Sequence, residues 1–207
     1  MQAMIFVRRS GAFGLGHVGW AYQYPGGTYE EGSVENLSGA PVDPPGQNGF
    51  WRAVTQDPFA QMQWRNYDAY KVLSIDPSYP SVADSTVAWL AQQYYVAVGL
   101  NCEDFTYDAL RSYGADLPWP LLHLAPNNWF DAVDAAEMPM PAVAPLAVPP
   151  PQMPTGPIGA PRAPAWRQIG TPEWIEFERA RSTGTLRGEP PLLRSATYER
   201  KLQGVAD

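Results

Sequence analysis

The chain has 207 residues, enough for one ordinary domain with an appendage, and 45% of them are hydrophobic, so a packed core is within reach. A formal net charge of -7 excludes the clustered-cation chemistry of a nucleic-acid binder. A single cysteine excludes an intramolecular disulfide framework, and one Cys with two His is too few ligands for a structural zinc site, so neither a metal nor any other cofactor is called for.

The first residues, Met1 to Ser10, are apolar but short, and Arg8 and Arg9 follow the apolar run instead of preceding it. That order reads as a first β-strand rather than a signal peptide. No apolar run approaches the length of a membrane span. The expectation is a chain made in the cytoplasm, with no membrane span and no classical export.

Val18 to Tyr24 has strand composition, Pro25-Gly26-Gly27 is a turn, and Thr28 to Glu35 reads as the returning strand of a hairpin. A Pro/Gly-rich loop spans 39–49, and Tyr67 to Ile75 reads as a further strand. Asp84 to Gln93 reads as a helix with Asp84 or Ser85 near its start. A second helix, Glu103 to Tyr113, stands behind Cys102, with Gly114 suited to close it. Cys102, Phe105/Thr106, Ala109/Leu110 and Tyr113 share one helical face, which aims Cys102 at the core sheet. Strands followed by a helix, without βαβ alternation, predict an α+β fold with the antiparallel sheet packed on the Cys-bearing helix.

Residues 1–137 read as the folded domain. In 138–164 proline alternates with Ala, Val, Met and Gly, which forbids helix and central strand and predicts an extended linker or arm. In the tail, 165–207, Thr171-Pro172-Glu173-Trp174 opens a short helix candidate through about Arg181.

The chemistry-bearing residues are Cys102, in Asn101-Cys102-Glu103-Asp104-Phe105, and His17, in Gly16-His17-Val18-Gly19. At a helix N-terminus the backbone N–H groups and the dipole favour thiolate, the nucleophilic form. A histidine brought beside it can act as its base, and a third polar group can fix the imidazole. The glycines around His17 (Gly14, Gly16, Gly19) are expected to leave room for a substrate backbone. For the third member the returning strand offers Glu30, Glu31, Ser33 and Glu35. In an extended strand Glu31, Ser33 and Glu35 share one face and Glu30 takes the other, and alternation alone leaves both Glu30 and Glu35 open. Asn101 is expected to cap the helix, with a lesser role in holding an oxyanion. Glu103 and Asp104 suit the helix dipole but not thiol activation. His123 reads as a packing or loop residue. Gly-Ala-Phe-Gly-Leu-Gly at 11–16 is not a phosphate loop, since it lacks the Lys-Ser/Thr ending.

Gly16-His17-Val18-Gly19 and Asn101-Cys102-Glu103-Asp104-Phe105 together resemble the circularly permuted papain-like superfamily, which includes permuted NlpC-type hydrolases and lecithin:retinol acyltransferase-like enzymes. Only these two motifs carry the resemblance, as a topology over residues 1–130. It implies a nucleophilic Cys102 starting a helix on an antiparallel sheet and a strand-borne His17 preceding it. The acyltransferase branch has histidine where this chain has Asp104 and a second strand histidine in the Glu30–Glu35 region, so the match is closer to the bacterial hydrolases, some of which use glutamate as third residue.

The expected function is a thiol-dependent hydrolase acting on a peptide or acyl substrate, an amide or ester, with a cell-wall peptide leading. An acyltransferase is a further possibility. The alternative is a structural subunit of a large assembly, such as a virion or tail component, with a protein partner engaged through residues 138–207.

Overall fold

The computed structural model describes residues 1–142 other than Leu37 and Leu124. From residue 143 on, the expected arm and tail lie outside the described residues. In chain order the elements are β1 (Gln2–Arg8), a 3-10 turn (Ala12–Gly14), β2 (His17–Gln23), β3 (Tyr29–Val34), β4 (Val42–Asp43), β5 (Phe50–Thr55), α1 (Ala60–Trp64) and β6 (Ala69–Ser74). They continue with α2 (Pro80–Leu90), β7 (Tyr95–Val96), α3 (Cys102–Tyr113), a 3-10 turn (Pro120–Leu122), α4 (Pro126–Ala132) and β8 (Glu137–Pro139). The fold is α+β, with a six-stranded antiparallel sheet in the order β5-β3-β2-β1-β6-β8 and a two-stranded β4-β7 ribbon.

β1 is central and both its faces are buried, which is why Ala3-Met4-Ile5-Phe6-Val7 is continuously apolar instead of alternating. Ala3, Ile5 and Val7 join Val18, Trp20 and Tyr22 of β2 in a cluster with Val87, Phe105, Leu110 and Trp129 from α2, α3 and α4. Met4 and Phe6 turn to the other face and pack with Ala21, Trp51, Met62 and Tyr67. Large side chains with no exposure, such as Trp20 and Trp129, each contribute about 1.5–3 kcal/mol by leaving water.

α3 begins at Cys102, and Gly114 closes it at a φ of 117°, a left-handed geometry that glycine adopts without strain. The expected single buried face is too narrow, because every residue of α3 is buried. The sheet, α2 and α4 all pack on it, and its polar groups bond locally: Arg111 Nη1 donates to Ala115 O at 2.8 Å and Ser112 Oγ to Ala109 O at 2.7 Å. α2 starts earlier than Asp84, at Pro80, whose missing N–H costs nothing at a first helical position. β5, β7, α1 and α4 have no counterpart in the sequence reading. Met138 and Pro139, assigned by composition to the arm, pair with Tyr70 and Ala69 at the sheet edge, a place that tolerates proline. Among the described residues no helix is long and apolar enough to cross a membrane.

Candidate active site

The β2–β3 hairpin sets the site. Its register pairs Trp20 with Gly32 and Tyr22 with Glu30, and continued past Gly32 it carries Glu35 opposite His17. His17 Nε2 stands 3.2 Å from Glu35 Oε2 and 3.1 Å from Ser33 Oγ. The Ser33 hydroxyl donates its hydrogen to Val18 O at 2.9 Å, so toward the imidazole it accepts. Both partners of Nε2 are therefore acceptors, and Nε2 carries the proton. That leaves Nδ1 for the Cys102 thiol, with which the imidazole is in hydrogen-bond contact. The ring packs on Tyr67 with centroids 5.6 Å apart.

Cys102 is the first residue of α3 and is 3% exposed. Asn101 caps the helix: its Oδ1 accepts from Glu103 N at 2.8 Å, while Asp104 Oδ2 accepts from Asn101 N at 3.0 Å. This reciprocal capping box fixes the direction of the first turn and hence of the thiol. It also gives Asp104 a structural task in place of a catalytic one. The Asn101 amide is tied at both ends, because its Nδ2 donates to Ala97 O at 3.2 Å, and one Nδ2 hydrogen is left over from these bonds.

Glu35 is held from four sides. Beyond His17, Trp51 Nε1 donates to its Oε1 at 3.0 Å, Arg8 Nη2 lies 3.4 Å from Oε2, and Arg65 Nη1 lies 3.6 Å from Oε1. Arg65 in turn stacks on Trp51 at 4.0 Å. Burial acts to raise the Glu35 pKa, but the hydrogen bond and charge of His17, then Arg8 and Trp51, outweigh it and hold the carboxyl down at about 2. For His17 burial acts to lower the pKa, and the charge and hydrogen bond of Cys102, followed by Glu35, push it up to about 9. The arrangement is a charged relay in which the imidazole bridges a sulfur and a fixed carboxylate.

Of the two candidates for the third position, the structure brings Glu35 to His17 and leaves Glu30 elsewhere. Glu30 lies opposite Tyr22, five residues along β2 and thus about 17 Å from His17 at strand rise. There it pairs with Arg52 at 2.6 Å and meets Tyr24 Oη at 3.3 Å. Burial, against the pull of Arg52, raises its pKa to about 7. Glu31 shares the His17 face but is buried with its pKa pushed up to about 9, by desolvation first and then by Asp57.

The expected room is open at Gly14 but occupied at Gly16 and Gly19. A side chain at Gly16 collides with Asn127, which donates to Arg9 O and Gly14 O and pins the 9–16 loop to α4. One at Gly19 meets the Tyr67 hydroxyl. These glycines admit the protein's own packing, not a substrate. His123 lies outside the site, in the turn after Pro120–Leu122, where its N–H donates to Pro120 O at 2.8 Å.

A cleft of about 500 Å³ opens over Cys102, His17 and Glu35. Phe13, Leu15, Pro41, Ala97 and Pro126 give it apolar walls, and Phe13 and Leu15 are solvent-exposed. Ser33, one of the polar residues the returning strand offers, does reach His17, whereas Arg8, Arg65, Trp51 and Tyr67 have no counterpart in the sequence reading. The hairpin turn was the available signal for the Glu35 position, since His17 and Glu35 stand equally far from Gly26. No local pattern announces the two arginines or the aromatics. Among the described residues no cluster of His, Cys, Asp and Glu is arranged to hold a metal ion. No protein-family model, curated protein or solved structure matches the chain.

Proposed function

We propose that this protein is a cysteine-dependent hydrolase or acyltransferase in which Cys102 is the nucleophile, His17 the acid–base and Glu35 the residue that orients His17. The observation that carries the reading is the imidazole bridging the Cys102 thiol and the Glu35 carboxylate, with the proton fixed on Nε2. A buried Cys alone is commonly a small core hydrophobe. A buried Cys at a capped helix start, facing a histidine whose far nitrogen is saturated by a carboxylate, has the parts of a nucleophile, a base and an orienting group. The same arrangement agrees with the resemblance to permuted papain-like enzymes that use glutamate third.

In the reaction the Cys102 sulfur attacks a carbonyl carbon, and the C=O electron pair moves to oxygen. The imidazolium of His17 gives its Nδ1 proton to the leaving nitrogen or oxygen as the bond to carbon breaks, and an acyl-thioester remains. Water, or another acceptor, then loses a proton to His17 and attacks the thioester, releasing the thiol. Glu35 stays ionised throughout and offsets the imidazolium charge.

Among the described residues Glu35 is the only acid lining the cleft, and it is committed to His17, Arg8, Arg65 and Trp51. The described residues place no uncommitted carboxylate there for an ammonium group. With Phe13 and Leu15 at the rim, this favours an uncharged, apolar acyl group over a cell-wall peptide recognised by its free amine.

The test is the pH dependence of Cys102 alkylation by iodoacetamide in the native protein, beside His17→Ala. Fast labelling well below the free-thiol pKa of about 8.5, lost in the variant, supports the pair. Equal labelling of the two proteins rejects it. Cys102→Ala is expected to abolish turnover of a p-nitrophenyl ester while leaving the fold intact.

A further inference from the structure

An attacking thiolate leaves charge on the carbonyl oxygen, and the site needs a donor aimed at that oxygen. The polar side chains lining the cleft are few, and most are committed. Asn101 has its Oδ1 on the helix cap and one of its two Nδ2 hydrogens on Ala97 O. Arg8 is turned to Glu35 and to Arg65 O at 3.1 Å. His17 is divided between Glu35, Ser33 and the thiol. Tyr95 remains.

We infer that the Tyr95 hydroxyl is the side-chain donor that stabilises the oxyanion formed when Cys102 attacks a carbonyl. Tyr95 lies in β7, pairs with Asp43 of β4, and lines the same cleft as Cys102 and His17 with 7% exposure. Its hydroxyl is set by Asn36. The Asn36 Oδ1 accepts from Gly39 N at 3.1 Å, so the amide presents N–H to Tyr95, and the phenol oxygen accepts it. With its oxygen engaged in this way, the phenol keeps its own hydrogen for the cleft. Asn36 holds a φ of 45°, a left-handed conformation that Asn tolerates better than most non-glycine residues. Burial, then the charge of Cys102, pushes the Tyr95 pKa up to about 12, so the group stays a donor at any working pH. The Cys102 backbone N–H supplies a natural second donor, since the capping box engages the N–H groups on either side of it.

This inference rests on the Cys102–His17 reading, and two probes separate the two claims. p-Nitrophenyl acetate acylates a thiolate through an oxyanion: the C–S bond forms, the carbonyl pair moves to oxygen, and its return expels p-nitrophenolate. Iodoacetamide is attacked at its CH2 carbon by the thiolate, so a C–S bond forms as iodide leaves, and no oxyanion is built. Tyr95→Phe deletes only the hydroxyl. It is expected to slow the p-nitrophenolate burst by about 100-fold while leaving alkylation of Cys102 unchanged. Asn36→Gly, which keeps the left-handed backbone and removes the amide, is expected to slow acylation part of the way, again with alkylation unchanged. This second variant serves if Tyr95→Phe does not fold. Unchanged acylation in Tyr95→Phe overturns the inference, as does a parallel fall of acylation and alkylation, which assigns Tyr95 to the thiol or the fold. A parent protein with neither a burst nor His17-dependent alkylation rejects the underlying pair and the Tyr95 role with it.

Discussion

His17 and Glu35 face each other across β2 and the end of β3 with Nε2 and Oε2 3.2 Å apart, and each changes the other's ionisation. The carboxyl is held at about 2 and the imidazole at about 9, so both are charged across the whole neutral range. The pair therefore contributes to stability as well as to chemistry. The Glu35 contribution is fully present above its ordinary value of 4.5 and is lost as pH falls toward 2. The His17 contribution is fully present below 6.5 and is lost as pH rises through about 9.

Glu35→Gln keeps the shape and removes the charge. The imidazolium then loses one of its supports, and its pKa falls from about 9 toward 6.5. Ester turnover is expected to drop by between ~10-fold and the ~10⁴-fold that an orienting carboxylate can carry. The alkaline limb of the pH–rate profile is expected to move to lower pH. A profile unmoved by the substitution removes Glu35 from its orienting role.

Glu30→Gln is the matched control on the same strand. Glu30 binds Arg52 and Tyr24 at the far end of the hairpin. The alkylation profile of Cys102 is expected to superimpose on that of the parent. A loss of reactivity comparable to that of Glu35→Gln contradicts the register as described.

Glu31 is 1% exposed with its pKa raised to about 9, and its Oε2 has no hydrogen-bond partner. Between 4.5 and 9 the folded protein holds a proton there that the unfolded chain has lost, so stability at this site declines as pH rises through that window. Glu31→Gln removes the decline. Urea titrations at pH 5 and pH 9 are expected to show the variant gaining on the parent at the higher pH. An equal difference at both values indicates that the carboxyl is already ionised in the fold.

Asn101→Ala removes the cap that directs the first turn of α3. The expected cost is about 1 kcal/mol, read as a lowered denaturant midpoint. Alkylation of Cys102 is expected to slow as well, because the turn carrying the thiol loses one of its two reciprocal bonds. Asn101→Asp restores an acceptor and is expected to recover most of the stability.

The hairpin was legible because turn residues and strand composition are local properties. Pro25-Gly26-Gly27 between two β-rich runs predicts that β2 and β3 pair, and the ladder of the structure then sets Glu35 opposite His17. The α3 start was legible for the same reason, since Asn101 and Gly114 are end signals that act within a single turn. α1 and α4 were not legible, being short helices, of 5 and 7 residues, without a side-chain cap bond, held by contacts distant in sequence. Met138 and Pro139 read as arm by composition, yet the open edge of β6 recruits them.

The sequence by itself determined the ingredients of this protein: one thiol at a helix start, one histidine at a strand start, a hairpin whose register it left open, and an acidic, aromatic-rich composition with a proline-rich end. Only the tertiary structure decided which glutamate serves His17, that Arg8, Arg65 and Trp51 fix it, and that Tyr95 enters the cleft. The physical reason is that a local signal needs only neighbouring residues to act. A charge relay depends instead on distances between segments far apart in the chain, and packing alone sets those distances.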